Sequence, residues 1–220
     1  MSEFRIAVMA SGSGSNFQML AEAARDGRIP ASIELLVCDK PSAQVVRRAE
    51  SFGIGTFVFN PKDYPSREAY EQEILRELQE RAIDLVVMAG YMRLITPVLV
   101  EPYYGRLINI HPALLPAFPG LHAARQALDY GVKIAGATVH YVDGGMDSGP
   151  IIAQRAVEVR DDDTEESLNA RIQRVEHELL PETVRLIAEG RVTLNDRKVN
   201  VRLGDECRMA MRIGKDEKDS

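Results

Sequence analysis

The chain has 220 residues, 45% hydrophobic and 27% charged, which is typical of a folded globular protein rather than a disordered one. Its formal net charge of −6 argues against general nucleic-acid binding, which needs a basic surface. Two cysteines, Cys38 and Cys207, are too few for a disulfide framework or a cysteine-rich zinc site. Because the sequence shows neither a signal peptide nor a run of about 20 apolar residues, we expect a cytoplasmic protein with no membrane segment.

Apolar runs alternate with helical patterns through the first half of the chain. Continuous apolar runs predict buried strands at 4–10, 33–38, 56–59, 84–90 and 106–110. Helical patterns between the first four runs predict helices at 16–25, 42–53 and 67–81, the last capped by Ser66. Strands that alternate with helices indicate an α/β fold with an open, mostly parallel, doubly wound sheet.

The second half of the chain has a different pattern. Two apolar runs at 137–142 and 150–159 are joined by a short glycine-rich segment, which predicts an antiparallel or mixed C-terminal part of the sheet. A long helix is predicted next, with Asp163 and Glu166 at capping-box spacing and Pro181 expected to kink or restart it. We expect residues 1–220 to form a single domain, with a terminal hairpin and a solvated tail over 191–220.

A glycine- and serine-rich turn, SGSGSN at 11–16, follows the first predicted strand. Glycines allow the backbone to approach a ligand closely, and the N-terminus of the following helix favours negative charge. Phe17 stands where a dinucleotide fingerprint has its third glycine, and the turn lacks the lysine of a P-loop. The pattern therefore indicates a site for one phosphate, and a simple capped turn is the alternative.

The segment NIHPALLPAFPG at 109–120 begins where the fifth predicted strand ends. Asn109 and His111 are two residues apart, so on a strand their side chains share a face, at the sheet edge where α/β proteins bind ligands. An amide can donate to an oxyanion, and an imidazole can carry a proton near neutral pH. The pair indicates a reaction that develops negative charge on oxygen; a histidine that only caps a loop carbonyl is the alternative.

Asp147 is the candidate partner of His111, because a nearby carboxylate favours the imidazolium form. It lies with Asp143 in the turn DGGMDSG at 143–149, where aspartate is also a common turn former. His140 is interpreted as a structural or supporting histidine. Because no histidine has metal-ligand spacing, we predict no metal site.

Two further segments carry candidate ligand contacts. Arg93 can bind a carboxylate or pair with an aspartate, and its apolar neighbours Met92, Leu94 and Ile95 can line a slot for a flat ring, although ordinary packing explains them equally well. Arg67 lies in the first turn of its predicted helix, where a cation is unfavourable unless it meets an anion.

Four segments in series resemble the phosphoribosylglycinamide formyltransferase family: SGSGSN, AGYMRLITP, NIHPALLPAFPGLHA and HYVDGGMDSGPII. The resemblance runs from about residue 5 to residue 189. It implies that a formyl group moves from the cosubstrate 10-formyltetrahydrofolate to the amine of glycinamide ribonucleotide, a step of de novo purine (IMP) biosynthesis. It also implies small-molecule substrates as partners, no nucleic acid, no membrane, no metal, and a monomer or small homo-oligomer.

The resemblance implies roles for individual residues as well. The catalytic residues are Asn109, His111 and Asp147. The nucleotide-binding residues are Gly14, Ser15, Asn16, Gln173, Arg174, Val175 and Glu176, with Glu176 as the ribose ligand. The folate-binding residues are Arg67, Met92, Arg93, Leu94, Ile95, Asn109, Asp143, Gly144, Gly145, Met146 and Asp147.

Three other functions stay open. A formyltransferase for initiator methionyl-tRNA shares the HP-x-LLP loop, but that family generally has an additional C-terminal domain. A formyltetrahydrofolate hydrolase generally carries an N-terminal regulatory domain. We expect neither extra domain in 220 residues. A non-catalytic module that holds a phosphorylated metabolite would bind a ligand without turnover.

Overall fold

A computed structural model describes residues 4–202 and shows a central sheet flanked by helices. The strands are β1 (Phe4–Met9), β2 (Ala31–Cys38), β3 (Gly55–Val58), β4 (Leu85–Met88), β5 (Leu107–His111), β6 (Ile134–Tyr141), β7 (Ile151–Glu158), β8 (Val192–Asn195) and β9 (Lys198–Val201). The helices are α1 (Ser15–Arg25), α2 (Gln44–Phe52), α3 (Arg67–Glu80), α4 (Pro97–Val100), α5 (Ala123–Tyr130) and α6 (Glu165–Ala188). The tail predicted at the C-terminus lies outside the described residues.

The sheet has seven strands in the order β3-β2-β1-β4-β5-β6-β7. Strands β1 to β5 are parallel to one another, and β6 and β7 are antiparallel at one edge. The α/β fold and its antiparallel C-terminal part are therefore confirmed. The chain runs outward from β1 to β3 and then returns to β4 on the other side of β1, and ligands of such sheets bind at this reversal.

The central strands β1 and β4 carry continuous apolar runs because both faces of the sheet are covered there, whereas the edge strand β7 has exposed polar positions. In β1, Ile6 and Val8 pack into the core on one face, and Ala7 and Met9 pack into the core on the other. All four side chains are at most 1% exposed. This two-sided burial explains why continuous apolar runs, without alternation, predicted the strands.

Helix α6 differs from its prediction at two points. Its N-cap is Thr164, whose hydroxyl accepts from the N–H of Ser167, while the Ser167 hydroxyl accepts from the N–H of Thr164. The capping box predicted for Asp163 and Glu166 is therefore wrong, because Asp163 forms an ion pair with Arg171 at 2.7 Å instead. The helix also runs unbroken through Pro181, which is buried with the residues that pack α6 on the sheet, so no restart occurs.

The hairpin predicted near the C-terminus is confirmed as β8 and β9, which pair antiparallel to each other in a separate two-stranded sheet. Most other predicted element ends lie within two residues of the observed ends, and β6 begins three residues earlier than predicted. That one domain takes in residues 1–220 stays a prediction.

Candidate active site

The register of the central strands sets three segments side by side. Met9 at the end of β1 is opposite Met88 at the end of β4, and Met88 is opposite Asn109 in β5. The turn after β1, the segment after β4 and the middle of β5 therefore share one edge of the sheet. Sequence spacing alone does not give this register.

The turn at 11–16, called here the phosphate turn, joins β1 to α1. Gly14 has a φ of +74°, and a Cβ atom there would lie 2.4 Å from Cγ2 of Val45, so glycine is required. The carbonyl of Gly14 accepts from the N–H of Gln18 at 2.9 Å. Because the first N–H groups of a helix have no carbonyl within the helix to bind, the start of α1 presents backbone donors that suit an anion.

Helix α2 holds the phosphate turn from one side. Nε of Arg48 donates to the carbonyl of Ser13 at 2.8 Å, and the N–H of Val45 donates to the carbonyl of Gly12 at 3.2 Å. Sequence reasoning missed both residues, since only the pairing of β1 with β2 brings α2 beside the turn. The proximity of two basic residues, Arg47 and Arg48, was the one available signal.

Helix α6 approaches the same turn from another side. Nε2 of Gln173 donates to Oγ of Ser15 at 3.0 Å, and Nδ2 of Asn16 donates to Oε2 of Glu176 at 3.0 Å. Glu176 is 8% exposed. Burial raises the pKa of Glu176, and the hydrogen bond from Asn16 opposes that rise only in part. Oδ1 of Asn16 is buried and has no hydrogen-bond partner in the described chain, so one buried acceptor stays open beside Glu176.

The other two predicted residues of α6 point elsewhere. Residues three apart on a helix share a face, so Gln173 and Glu176 reach the turn together. Arg174 is exposed, and Val175 packs against the hydrophobic core. The structure therefore brings two of the four predicted α6 residues to the phosphate turn.

Four side chains form what we call the polar cluster: Asn109, His111, His140 and Asp147. Asn109 on β5 lies opposite His140 on β6, and their Nδ2 and Nε2 atoms are 3.2 Å apart. Oδ1 of Asp147 lies 3.4 Å from Nδ2 of Asn109, and its Oδ2 lies 3.4 Å from Nδ1 of His111. The three predicted catalytic residues thus meet, and His140 joins them through strand pairing.

The hydrogen-bond partners fix where the histidine protons lie. Nε2 of His111 lies 2.8 Å from the carbonyl of Phe118, which can only accept, so Nε2 carries a hydrogen. Nδ1 of His111 can donate to Asp147 only in the imidazolium form. In His140, Nδ1 donates to the carbonyl of Tyr141 at 2.8 Å, which leaves Nε2 of the neutral ring to accept from Asn109.

Asp147 is held by the surrounding chain as well as by the histidines. Its backbone φ is +50°, in the left-handed region, and its Oδ2 accepts from the N–H of Gly120 at 2.7 Å. Burial pushes the pKa of Asp147 up, but the adjacent His140, the hydrogen bond from Gly120 and the charge of His111 together bring it below its ordinary value. The carboxylate is therefore ionised at neutral pH and faces both rings.

Exposed apolar side chains occur in the segments next to the polar cluster. Met92, Leu94, Leu121 and Met146 are each more than half exposed, and all four lie in the segments that carry or flank the cluster. Exposed apolar groups concentrated in one place are typical of a ligand site. They suit one face of a flat ring system.

The segment after β4 is fixed to the sheet at two points. The N–H of Met92 donates to Oγ of Ser11 at 3.0 Å, and Nε of Arg93 lies 2.6 Å from Oδ2 of Asp39. The sequence allowed Arg93 to bind a ligand carboxylate or to pair with an aspartate of the protein, and in the structure it pairs with Asp39. Ile95 is buried in the core rather than exposed in a slot.

The other predicted folate residues fall into two groups. In the 143–149 loop, Oδ1 of Asp143 accepts from the N–H of Gly145 at 3.1 Å and from Oγ of Ser148 at 2.7 Å, and Gly144 has a φ of +88°. Arg67 is exposed at the start of α3, and the hydrogen bonds of the polar cluster within residues 4–202 do not include it.

Two negative findings apply to the part of the chain that the structure describes. In residues 4–202, no three His, Cys, Asp or Glu side chains are grouped in a way that could hold a metal ion. Over the same residues, no helix has the length and apolar character needed to cross a membrane.

Comparison with known proteins identifies the class of protein that this fold and site define. The family described as Formyl transferase matches residues 4–184, which include the phosphate turn, the polar cluster and the contacting part of α6. The chain belongs to the formyl transferase family.

Individual relatives show which formyltransferases the chain is similar to. The chain is 50% identical over 181 residues to phosphoribosylglycinamide formyltransferase of Bacillus subtilis (strain 168), a match that covers 82% of this chain and 93% of the relative. The enzyme of the same name from Escherichia coli (strain K12) is 40% identical over 191 residues, covering 87% of this chain and 90% of the relative. Glycinamide ribonucleotide transformylase 1 from Symbiobacterium toebii superposes with a TM-score of 0.88 at 46% identity, covering 90% of this chain and 93% of that one.

Proposed function

We propose that this protein transfers the formyl group of 10-formyltetrahydrofolate to the amine of 5-phosphoribosyl-glycinamide, a step of de novo purine (IMP) biosynthesis. One observation carries the proposal: a turn suited to a single phosphate lies on the same sheet edge as an amide, an imidazole and a carboxylate in mutual contact. The names of the relatives support it. On this proposal the enzyme works in the cytoplasm on small molecules, as a monomer or small homo-oligomer, without a metal.

The nucleotide would bind between α1 and α6. Its phosphate would accept from backbone N–H groups at Gly14, Ser15 and Asn16, where the helix N-terminus favours negative charge. The carboxylate of Glu176, already fixed through Asn16, would accept from a ribose hydroxyl. The amine at the other end of the nucleotide then points along the sheet edge toward Asn109.

The folate would bind on the apolar side of the polar cluster. Its flat ring would contact Met92, Leu94 and Met146, which are exposed there. Backbone groups of the 143–149 loop would bind the polar edge of the ring. This places the formyl carbon between the nucleotide amine and Asn109.

The amine nitrogen attacks the formyl carbon, and a C–N bond forms as the carbonyl electrons move onto oxygen. Asn109 has two N–H groups on Nδ2, and one is directed to His140 at 3.2 Å. The second makes only a long contact of 3.4 Å to Asp147, so it is available to the developing oxyanion. The bond from the formyl carbon to the folate nitrogen then breaks. The amine loses one proton, and the folate nitrogen gains one.

The charge of His111 stabilises the oxyanion in this arrangement. Both ring nitrogens of the imidazolium face acceptors of the protein, the carbonyl of Phe118 and the carboxylate of Asp147. Direct proton transfer to the folate would therefore require the 3.4 Å contact between Nδ1 and Asp147 to break. We infer that the imidazolium form of His111 acts as a fixed positive charge, oriented by Phe118 and Asp147.

A single assay tests the proposal. The protein is incubated with 10-formyltetrahydrofolate, with and without glycinamide ribonucleotide, and the deformylated folate is followed by absorbance. We expect turnover that depends on the acceptor. Formate release without the acceptor would instead support a hydrolase, and ligand binding without turnover would support a binding module.

A further inference from the structure

The hairpin β8–β9 lies outside the part of the chain that the family match covers, which ends at residue 184. Its apolar side chains alternate along both strands, and Val192, Leu194, Val199 and Val201 pack against the hydrophobic core. Strand β9 lies beside β7. The hairpin is therefore seated on the main sheet, with its connection at 196–197 directed toward the 143–149 loop.

One hydrogen bond joins the hairpin to that loop. Nη2 of Arg197 donates to the carbonyl of Ser148 at 2.6 Å. A guanidinium that donates to a carbonyl makes a charge-assisted bond, which is stronger than a neutral one. Ser148 is the neighbour of Asp147 in the chain, so this bond holds the peptide that follows the proposed catalytic carboxylate.

At its C-terminal end the loop runs into β7, where Gly149 is buried and the carbonyl of Pro150 accepts from the N–H of Tyr141 at 2.9 Å. The bonds from Gly145 and Ser148 to Asp143 are made within the loop and do not tie it to the rest of the protein. On its other side, Asp147 is held by Gly120 and the histidines. A left-handed backbone at Asp147 persists only where the surroundings hold it.

We propose that the β8–β9 hairpin braces the 143–149 loop, and that Arg197 is a positioning residue for the folate side of the site. The bond at Ser148 restrains the residue next to Asp147, and the bond from Gly120 restrains the Asp147 carboxylate itself. Removal of the Arg197 guanidinium takes away the bond between Ser148 and the hairpin, while the phosphate turn, which contacts α2 and α6, is untouched. The expected effect on folate kinetics rests on the proposed function. The restraint of the 143–149 loop by the hairpin does not.

The kinetic test compares Arg197→Ala with Lys198→Ala in the full chain. Lys198 is the adjacent exposed cation of the same hairpin, and within residues 4–202 its side chain makes no hydrogen bond or ion pair. We expect Arg197→Ala to lower kcat/KM for 10-formyltetrahydrofolate about 3- to 10-fold, which corresponds to the typical free-energy contribution of one hydrogen bond. The Kd of the nucleotide should change less than about twofold, and Lys198→Ala should match the wild type.

A conservative variant and a second measurement complete the test. Arg197→Lys keeps a cationic donor and should recover part of the lost kcat/KM. Hydrogen exchange at 143–149 should quicken in Arg197→Ala and not in Lys198→Ala, whether or not the enzyme turns over. Equal losses for both substrates, equal effects of both alanine variants, or unchanged exchange at 143–149 would overturn the brace. Quickened exchange in a protein without formyl transfer would leave the brace standing and reject the proposed function.

Discussion

The phosphate turn and the polar cluster are built by different means. The phosphate turn belongs to the parallel half of the sheet and presents backbone N–H groups, shaped by the left-handed Gly14 and by Val45 packed against it. The polar cluster belongs to the antiparallel part and consists of side chains from β5, β6 and the 143–149 loop. Backbone donors are in place once the turn and helix form, whereas the side chains meet only if the register of two strands and the path of a loop are both correct.

This difference predicts separate functional losses. Damage to the polar cluster should lower kcat and leave nucleotide affinity largely intact. Damage to the phosphate turn should lower nucleotide affinity and stability while the chemical step stays intact in the bound complex. A slip of one residue between β5 and β6 would move Asn109 and His111 to the other face of the sheet, so the cluster is the part more sensitive to register.

The largest effect is expected for His111→Ala. Loss of the imidazolium removes the charge that faces the oxyanion, and kcat should fall by about 10²–10⁴-fold. The Kd of the nucleotide, measured by calorimetry, should stay within about threefold of wild type, because His111 does not contact the phosphate turn. An unchanged kcat in the folded variant would remove His111 from the chemistry.

Gly14→Ala tests the phosphate turn. A methyl group at a φ of +74° and 2.4 Å from Val45 forces the turn to shift, which should cost about 1–3 kcal/mol of the free energy of unfolding. Nucleotide affinity should fall about tenfold or more. Gly12→Ala is the matched control for stability, because a Cβ there meets no atom within 4 Å. Equal loss of stability in the two variants would contradict the steric argument.

Glu176→Gln should show a pH-dependent effect. Because burial raises the pKa of Glu176 in the folded state, its ionisation weakens folding as pH rises through that pKa, from an ordinary value near 4.5 upward. Glutamine mimics the neutral acid and escapes this loss. The melting temperature of the variant relative to wild type should therefore rise from pH 4 to pH 8, while nucleotide affinity falls about tenfold. A difference in melting temperature that is constant with pH would refute the assignment.

The smallest effect is expected at the ion pair that fixes the segment after β4. Arg93→Met leaves the carboxylate of Asp39, whose side chain is 1% exposed, without its cation. After allowance for the partial exposure of Arg93, this should cost about 1–2 kcal/mol of the free energy of unfolding and raise the KM for the folate about twofold to threefold. Asp39→Asn removes the buried charge and keeps an acceptor, so it should cost less. The reverse order in chemical denaturation would show that the ion pair is not what holds the segment.

The sequence was most informative where a physical requirement leaves a local pattern. Strands covered on both faces must be apolar throughout, so β1, β2 and β4 were predicted from short runs. An anion site at the start of a helix needs glycines, so SGSGSN was visible. Asn109 and His111 were visible as a pair because residues two apart on a strand share a face.

Sequence reasoning failed where the contact partner lies far along the chain or where two local solutions compete. The cap of α6 was assigned one residue too early, because Asp163 and Thr164 are both good caps and the ion pair with Arg171 decided between them. Arg48 and Val45 were missed at the phosphate turn, since they reach it from another helix. For Ile95 the sequence allowed either a ligand slot or ordinary packing; the structure buries it in the core, and its contact with folate stays a prediction.

By itself, the sequence determined the class of fold, the glycine-rich turn before the first helix and the pairing of an amide with an imidazole on one strand face. These follow from local rules of backbone conformation and side-chain alternation, which act over a few residues. Only the tertiary structure decided that Asp147 and His140 meet that pair, that α6 offers two side chains to the phosphate turn and not four, and that Arg197 reaches the 143–149 loop. Those contacts join residues 31 to 160 positions apart, and their distances are set by strand register and packing, which no local pattern encodes.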